Sequence, residues 1–169
     1  TAEPGVIFWS TMSKYSPSNY VGKPIVCTNP CAEVPLEDGG ACNLGSLNLS
    51  QFVDNGYETK AKINWDRLAE STAILVRFLD NVVTWNEDLN ALEKQRIAAS
   101  ETRRLGLGIM GGADMLNQLG INYDSNEGID ILTRVMEFIT NAAYQASASL
   151  AGEKGASSIY YEDEYMECP

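Results

Sequence analysis

The run LGLGIMGGADML, Leu105 to Leu116, constrains the fold more tightly than any other stretch of the chain. Small and large apolar residues alternate through its first half, and a Gly111-Gly112 pair then opens a helical pattern. Glycine at alternate strand positions lets another element approach that face closely, and an apolar strand running straight into a helix is typical of a parallel α/β sheet. These glycines do not form a nucleotide fingerprint, because neither GxGxxG nor a Walker lysine is present, so close backbone packing is the reason for them. The 169 residues, 44% hydrophobic and 21% charged, have ordinary globular composition and can bury a core. The predicted class is α/β and rich in helix.

Helical periodicity flanks this strand. Asn64 is a fitting N-cap for a helix from Trp65 to about Val83, with Leu68, Ile74, Leu75, Phe78, Leu79 and Val82 on its apolar face. Asn86 reads as a second cap, ahead of a helical stretch carrying Leu89, Leu92, Ile97 and Ala98. Asp124 or Ser125 caps a long helix over about 126–151, whose apolar face includes Ile129, Leu132, Val135, Met136, Ile139 and Ala143 and which stops before Gly155. At the start, Val6 to Trp9 reads as a brief strand or helix start before a Pro, Ser and Asn-rich loop. The acidic, aromatic tail from Tyr160 shows neither a cap nor a packing pattern, and Tyr160, Tyr161 and Tyr165 read as interface tyrosines rather than a radical-transfer chain. Trp65, Trp85, Met110 and Met115 read as core or half-buried anchors.

Chemistry concentrates in TNPCAEVPL, Thr28 to Leu36. In an extended backbone Asn29, Cys31 and Glu33 occupy alternate positions, so an amide, a thiol and a carboxyl project to one side. Pro30 offers no N–H and biases Asn29 toward extended geometry, which favours a projecting loop or edge over a central strand. A polar turn ahead of a strand is the plainer reading of the same residues. The Glu37-Asp38-Gly39-Gly40 turn then leads to ACNLGSLNLS; a hairpin there returns Cys42 to the neighbourhood of Glu33 and Pro35. Two thiols near a carboxylate make a redox or radical site candidate, while Cys42 alone also fits a small buried cysteine. Glu37-Asp38 and Glu162 to Glu164 read as solvated surface.

A formal net charge of −11 argues against a nucleic-acid-binding surface or an anionic membrane surface, since both require clustered Lys and Arg. No apolar run approaches the roughly 20 residues that span a bilayer, and no secretory signal pattern opens the chain, so a cytoplasmic location is expected. The sequence contains no histidine, which removes Ser-His and Cys-His nucleophile pairs and His-containing zinc sites. Acid–base work falls to carboxyls, thiols and tyrosines. Cys27, Cys31, Cys42 and Cys168 are too unevenly spaced for a disulfide framework, and a four-thiolate zinc site lacks its usual paired short spacings; no metal site is expected.

In this order and spacing, TNPCAEVPL, ACNLGSLNLS and RRLGLGIMGGADML resemble the large catalytic subunit of ribonucleotide reductase, over a stretch from EPGVIF near the start to the helix ending LAGEKGA. The NPCAE and CNLGSLNL forms are most similar to the adenosylcobalamin-dependent class II enzymes; the alternative is class I, in which a di-iron partner subunit supplies the radical. The resemblance implies part of a ten-stranded α/β barrel, with a finger loop over about 25–49 and helices and a buried strand over about 64–152. It implies that Cys31 becomes a thiyl radical removing the 3′ hydrogen of a ribonucleoside di- or triphosphate, that Glu33 is the base on the 3′ hydroxyl, and that Asn29 orients the ribose. Cys42 matches one of two cysteines that deliver reducing equivalents and close into a disulfide, reopened by a thioredoxin-like dithiol.

The same resemblance places the redox partner of Cys42 before the finger loop and the phosphate-binding loop after residue 169. Neither Cys27 nor Cys168 matches that partner. The expectation is an internal piece of a longer or split enzyme, working with complementary reductase polypeptides that complete the barrel. A non-catalytic interaction or scaffold piece retaining the family fold is the alternative.

Overall fold

A computed structural model describes residues 5–167. In chain order the elements are α1 (Trp9–Lys14), β1 (Ile25–Thr28), β2 (Pro35–Glu37), β3 (Asn43–Asn48), β4 (Val53–Asp54), β5 (Lys62–Ile63), α2 (Trp65–Leu89), α3 (Glu93–Thr102), β6 (Leu105–Met110), α4 (Gly112–Leu119), α5 (Asn126–Lys154) and α6 (Glu162–Met166). Short 3-10 turns occur at Asn19–Val21 and Leu49–Phe52. The chain divides into two compact units. One is drawn from residues up to Cys42, Val83–Arg104 and those from Ala156 onward; the other comprises Asn43–Val82 and Leu105–Gly155.

The second unit contains the parallel pair foreseen from the glycine alternation. β3 runs parallel to β6 in unbroken register from Asn43↔Leu105 to Asn48↔Met110. Parallel strands need a long crossover, and the intervening sequence is largely helical, as that rule requires. Glycine lets α2 approach closely: a Cβ on Gly45 would lie 2.9 Å from Leu75 Cδ1. At Gly111 the backbone is left-handed, with φ 69°, and a Cβ would lie 2.3 Å from Asn48 Oδ1, so glycine is required where β6 turns into α4. β4 and β5 form a short antiparallel pair. The core gathers Leu47, Leu49, Phe52, Ile63, Leu68, Met115, Val135 and Ile139, and Trp65 packs edge-on against Phe138 at a centroid distance of 4.9 Å.

The caps explain where the long helices begin. Asn64 Oδ1 accepts from Arg67 N at 3.0 Å at the head of α2, and Ser125 Oγ accepts from Gly128 N at 3.0 Å at the head of α5. Gly155, with φ 87°, ends α5 where expected. Near that end, Arg77 donates to both oxygens of Glu153 and Lys154 pairs with Asp80. The Arg77–Glu153 pair is half exposed, and solvent screening leaves it little weight in stability.

Several sequence expectations are corrected. Asn86 is no cap: α2 continues through it to Leu89, its Oδ1 accepts from Asn90 Nδ2, and α3 begins only at Glu93. On α2 the buried face is Leu68, Thr72, Val76, Leu79 and Val83, whereas Ile74 and Phe78 are 62% and 53% exposed. Thr72 takes a core place because its hydroxyl donates to Leu68 O, which removes the cost of burying it. β6 is half-buried rather than buried, since Ile109 and Met110 are exposed at its end, and Trp85 is also exposed. The Val6–Phe8 run stays irregular and exposed before α1. The tail forms the short helix α6, in which Tyr165 packs against Tyr160 and against Tyr20 of the 3-10 turn. No helix among the described residues is long and apolar enough to cross a membrane.

The buried and exposed faces of the second unit are separable by experiment. Met115→Ala leaves a cavity in the core and should cost about 2–5 kcal/mol, while Ile74→Ala should stay within about 0.5 kcal/mol. Urea unfolding of the two variants measures this, and equal losses would mean the buried face of the unit is assigned wrongly.

Candidate active site

The residues singled out by sequence all lie in the first unit. β1 pairs antiparallel with β2, with Cys27↔Leu36 and Thr28↔Pro35 in register and an irregularity between Ile25 and Cys27. The hairpin loop is therefore Asn29–Val34, and NPCAE forms it. This corrects the expectation of a hairpin at Glu37–Gly40: the segment after that turn pairs with β6 instead of returning along β2.

Asn29 closes the loop. Its N–H donates to Val34 O at 3.2 Å, its carbonyl accepts from Ala32 N at 3.0 Å, and its side-chain Oδ1 accepts from Val34 N at 3.0 Å. Ala32 is held at φ 66°, a left-handed conformation that costs a non-glycine residue energy and that these bonds enforce. The backbone is thus not extended across NPCAE, and strand alternation does not align Asn29, Cys31 and Glu33. What the loop does is project Cys31 and Glu33 into solvent while Asn29 stays half-buried at its base. Asn29 Nδ2 remains available as a donor, but Oδ1 is committed to the loop.

Cys42 lies beyond β2, one residue before β3, and is half-buried. Burial pushes its thiol above the ordinary range, Arg104 opposes the rise, and the Glu33 and Glu37 carboxylates add to it. Glu33, on the loop, thus acts on Cys42 through its charge. Cys27 is exposed, with its thiol 3.9 Å from Leu36 O. Cys168 falls outside the described residues. Among the described residues no group of three or more His, Cys, Asp or Glu side chains is placed to hold a metal ion.

The sequence reading missed the ion pair beneath this site. Glu37, expected to be solvated, is 3% exposed, and its Oε2 accepts from Arg104 Nη2 at 2.6 Å. Arg104 Nη2 also donates to the hydroxyl of buried Ser18 at 2.8 Å, whose N–H in turn faces Ser16 Oγ at 3.4 Å. Breaking such a pair by removing one partner costs about 3–5 kcal/mol. Asp38 does stay in solvent, where it pairs with Lys94 at 2.6 Å.

Comparison with known proteins defines the class. A family model described as the ribonucleotide reductase barrel domain matches residues 1–168. The chain is 42% identical over 165 residues to the vitamin B12-dependent ribonucleoside-diphosphate reductase of Thermoplasma acidophilum, covering 98% of this chain and 21% of that protein. The enzyme of the same description from Mycobacterium tuberculosis is 40% identical over 165 residues, covering 96% of this chain and 22% of that protein. The ribonucleoside-diphosphate reductase subunit alpha of Chlamydia pneumoniae is 34% identical over 164 residues, covering 95% of this chain and 15% of that protein. The chain belongs to the ribonucleotide reductase barrel-domain family, and it spans about a fifth of the length of the first two relatives.

The environments of the three described thiols predict an order of reaction. Thiolates alkylate and thiols do not, so exposed Cys31 and Cys27 should react with iodoacetamide ahead of Cys42 at neutral pH. The folded state keeps the Cys42 proton above the ordinary thiol range, so that contribution to stability is complete below that range and is lost as pH rises through the raised value. The Cys42 rate should accordingly keep climbing with pH beyond the ordinary thiol range. Peptide mapping of the alkylated chain reads this; equal rates at neutral pH would show that burial does not control the Cys42 thiol.

Proposed function

We propose that this chain carries the radical-bearing loop and one reductive thiol of a ribonucleotide reductase that uses adenosylcobalamin. The observation that supports the reading most strongly is the exposed Cys31 thiol near the apex of a loop braced by Asn29, in a chain whose similar relatives are named as B12-dependent ribonucleoside-diphosphate reductases. The loop is then the finger loop of a ten-stranded α/β barrel. The β3–β6 pair forms a two-stranded sheet among the described residues, with both outer edges open to further strands. Complementary reductase polypeptide completing the barrel is the fitting cover for those edges.

Adenosylcobalamin, when bound, supplies the one-electron oxidation that no side chain here can perform. Its corrin ring holds its own cobalt, so the chain need not provide metal ligands, and the donor set fits that division of labour: a thiol and carboxyls, with no histidine. Cys31, exposed on the loop, gives up its hydrogen atom and then takes the 3′ hydrogen of the ribose. Glu33 accepts the proton of the 3′ hydroxyl as the 2′ hydroxyl leaves as water. Asn29, whose Oδ1 braces the loop, has Nδ2 to offer the ribose. Cys42 and a second thiol supply two electrons and two protons and close into a disulfide, after which Cys31 returns a hydrogen atom to C3′. The net reaction consumes one ribonucleotide and two thiols and yields a deoxyribonucleotide, water and a disulfide. A thioredoxin-like dithiol reopens the disulfide, and the substrate is a ribonucleoside di- or triphosphate.

Ribonucleotide reduction by the chain together with its complementary polypeptides and a dithiol, with and without adenosylcobalamin, tests the reading. Turnover is expected only with the cobalamin. Cys31→Ser should abolish it, Glu33→Gln should slow it by about 10²–10⁴-fold, and Cys42→Ser should permit the radical step but not continued turnover. Activity retained by Cys31→Ser would sink the assignment. Turnover without cobalamin but with a di-iron subunit would move the chain to class I, and associated chains without turnover under either condition would favour a scaffold role.

A further inference from the structure

We propose that Glu37 and Arg104 are positioning residues for Cys42: their buried ion pair braces the segment that delivers the thiol to the entrance of β3. The inference rests on the reading of Cys42 as the reductive thiol, and it concerns residues that reading does not use.

Three observations carry it. The first is strand register. The ladder begins with Asn43 opposite Leu105, so Cys42 and Arg104 are each the residue that immediately precedes a ladder partner. The second is the ion pair itself. Arg104 reaches Glu37 Oε2 at 2.6 Å, with side-chain exposures of 17% and 4%, and so pins the end of β2 to the residue that precedes β6. The third is the turn that joins Glu37 to Cys42. Gly40 N donates to Glu37 O at 2.9 Å, Gly39 is left-handed with φ 79°, and a Cβ on Gly40 would lie 2.9 Å from Glu37 Cδ. The turn folds Glu37 back over its own backbone, and only glycine leaves room for the carboxylate. The pair thus braces the segment that delivers the thiol.

Among the described residues, Arg104, Glu33 and Glu37 are charged groups that act on Cys42. Lys94 and Asp38, beside Gly39, pair with each other in solvent. Arg104 favours the thiolate, and the two carboxylates favour the neutral thiol. Burial is the largest influence and Arg104 opposes it, while Glu33 and Glu37 add to it, so the thiol stays protonated until a reductant or partner thiol engages it. Neutralising one partner tips the balance, and the two choices tip it in opposite directions.

That opposition separates a positioning role from a merely structural one. The measurement is alkylation of Cys42 against pH in the full chain, resolved from Cys27 and Cys31 by cleavage after Glu33, and it yields both a titration midpoint and a plateau rate at high pH. Arg104→Met should move the midpoint to higher pH and Glu37→Gln to lower pH, while Arg104→Lys stays near wild type. The Glu37→Gln/Arg104→Met double variant should return toward wild type. If the pair only braced the fold, both single variants would loosen it, relieve burial and shift to lower pH with a faster plateau; that result, or no shift in either, overturns the proposal. Should Arg104→Met fail to fold, Glu37→Gln still decides: a lower midpoint with an unchanged plateau supports the pair, whereas a raised plateau or an unmoved midpoint refutes it. The titration needs no turnover, so its outcome is independent of whether Cys31→Ser or Cys42→Ser abolishes ribonucleotide reduction.

Discussion

Parallel pairing of β3 with β6 is the constraint on which the rest depends. It is a non-local contact, and its closure requires the chain between Asn48 and Leu105 to be spent on a crossover, much of it α2 and α3. Its register does more than build a sheet. With Asn43 opposite Leu105, the residues just upstream in each strand are a thiol and a guanidinium, and a shift of one residue would turn Arg104 to the other face. The glycines serve the same pairing: Gly45 admits Leu75 of α2, and Gly111 turns β6 into α4 under Asn48.

What was legible in the sequence is what depends on near neighbours. Asn64, Ser125 and Gly155 were readable as helix boundaries because a cap acts within three residues of itself. The α/β class was readable in the alternation at Leu105–Met110, but not the identity of the partner strand, which lies far away in the chain. Ile74 and Phe78 fit the helical period as well as Leu68 and Leu79 do; which stripe faces inward is decided by the elements packed against α2 rather than by α2 itself. Asn86 looked like a cap because asparagine is disfavoured inside helices, yet its side chain found Asn90 and the helix went on. The hairpin was misplaced for a related reason. Gly39-Gly40 is the louder turn signal, but Asn29 makes the tighter closure with a side-chain bond that no propensity scale weighs.

The candidate site shows the same division. The ordered motifs put Asn29, Cys31, Glu33 and Cys42 forward as one candidate site. The means of assembly was not legible: the loop is bent at Ala32 rather than extended, and Cys42 is placed by β3 rather than by a returning hairpin. Glu37 was misread because an acidic residue beside Asp38 and two glycines has the composition of solvated surface. Only the inward Arg104 reverses that, and Arg104 is placed by a strand that the local sequence around Glu37 does not mention.

With no histidine in the sequence, the tasks proposed for the two thiols rest on their environments alone. Cys31 is exposed on a loop whose own bonds hold its shape, so its hydrogen atom is accessible. Radical chemistry at sulfur needs the S–H hydrogen and not the thiolate, so an exposed thiol without a cationic activator suits that task. Thiol–disulfide exchange is the reverse case, because it needs a thiolate at the moment of attack and a protonated, unreactive sulfur at other times. Half-burial raises the Cys42 thiol, Arg104 opposes the rise and Glu33 and Glu37 add to it, which is the poise that such exchange needs. A cysteine tuned by a paired charge can be switched by whatever disturbs the pair, whereas one tuned by a lone cation would remain a thiolate throughout.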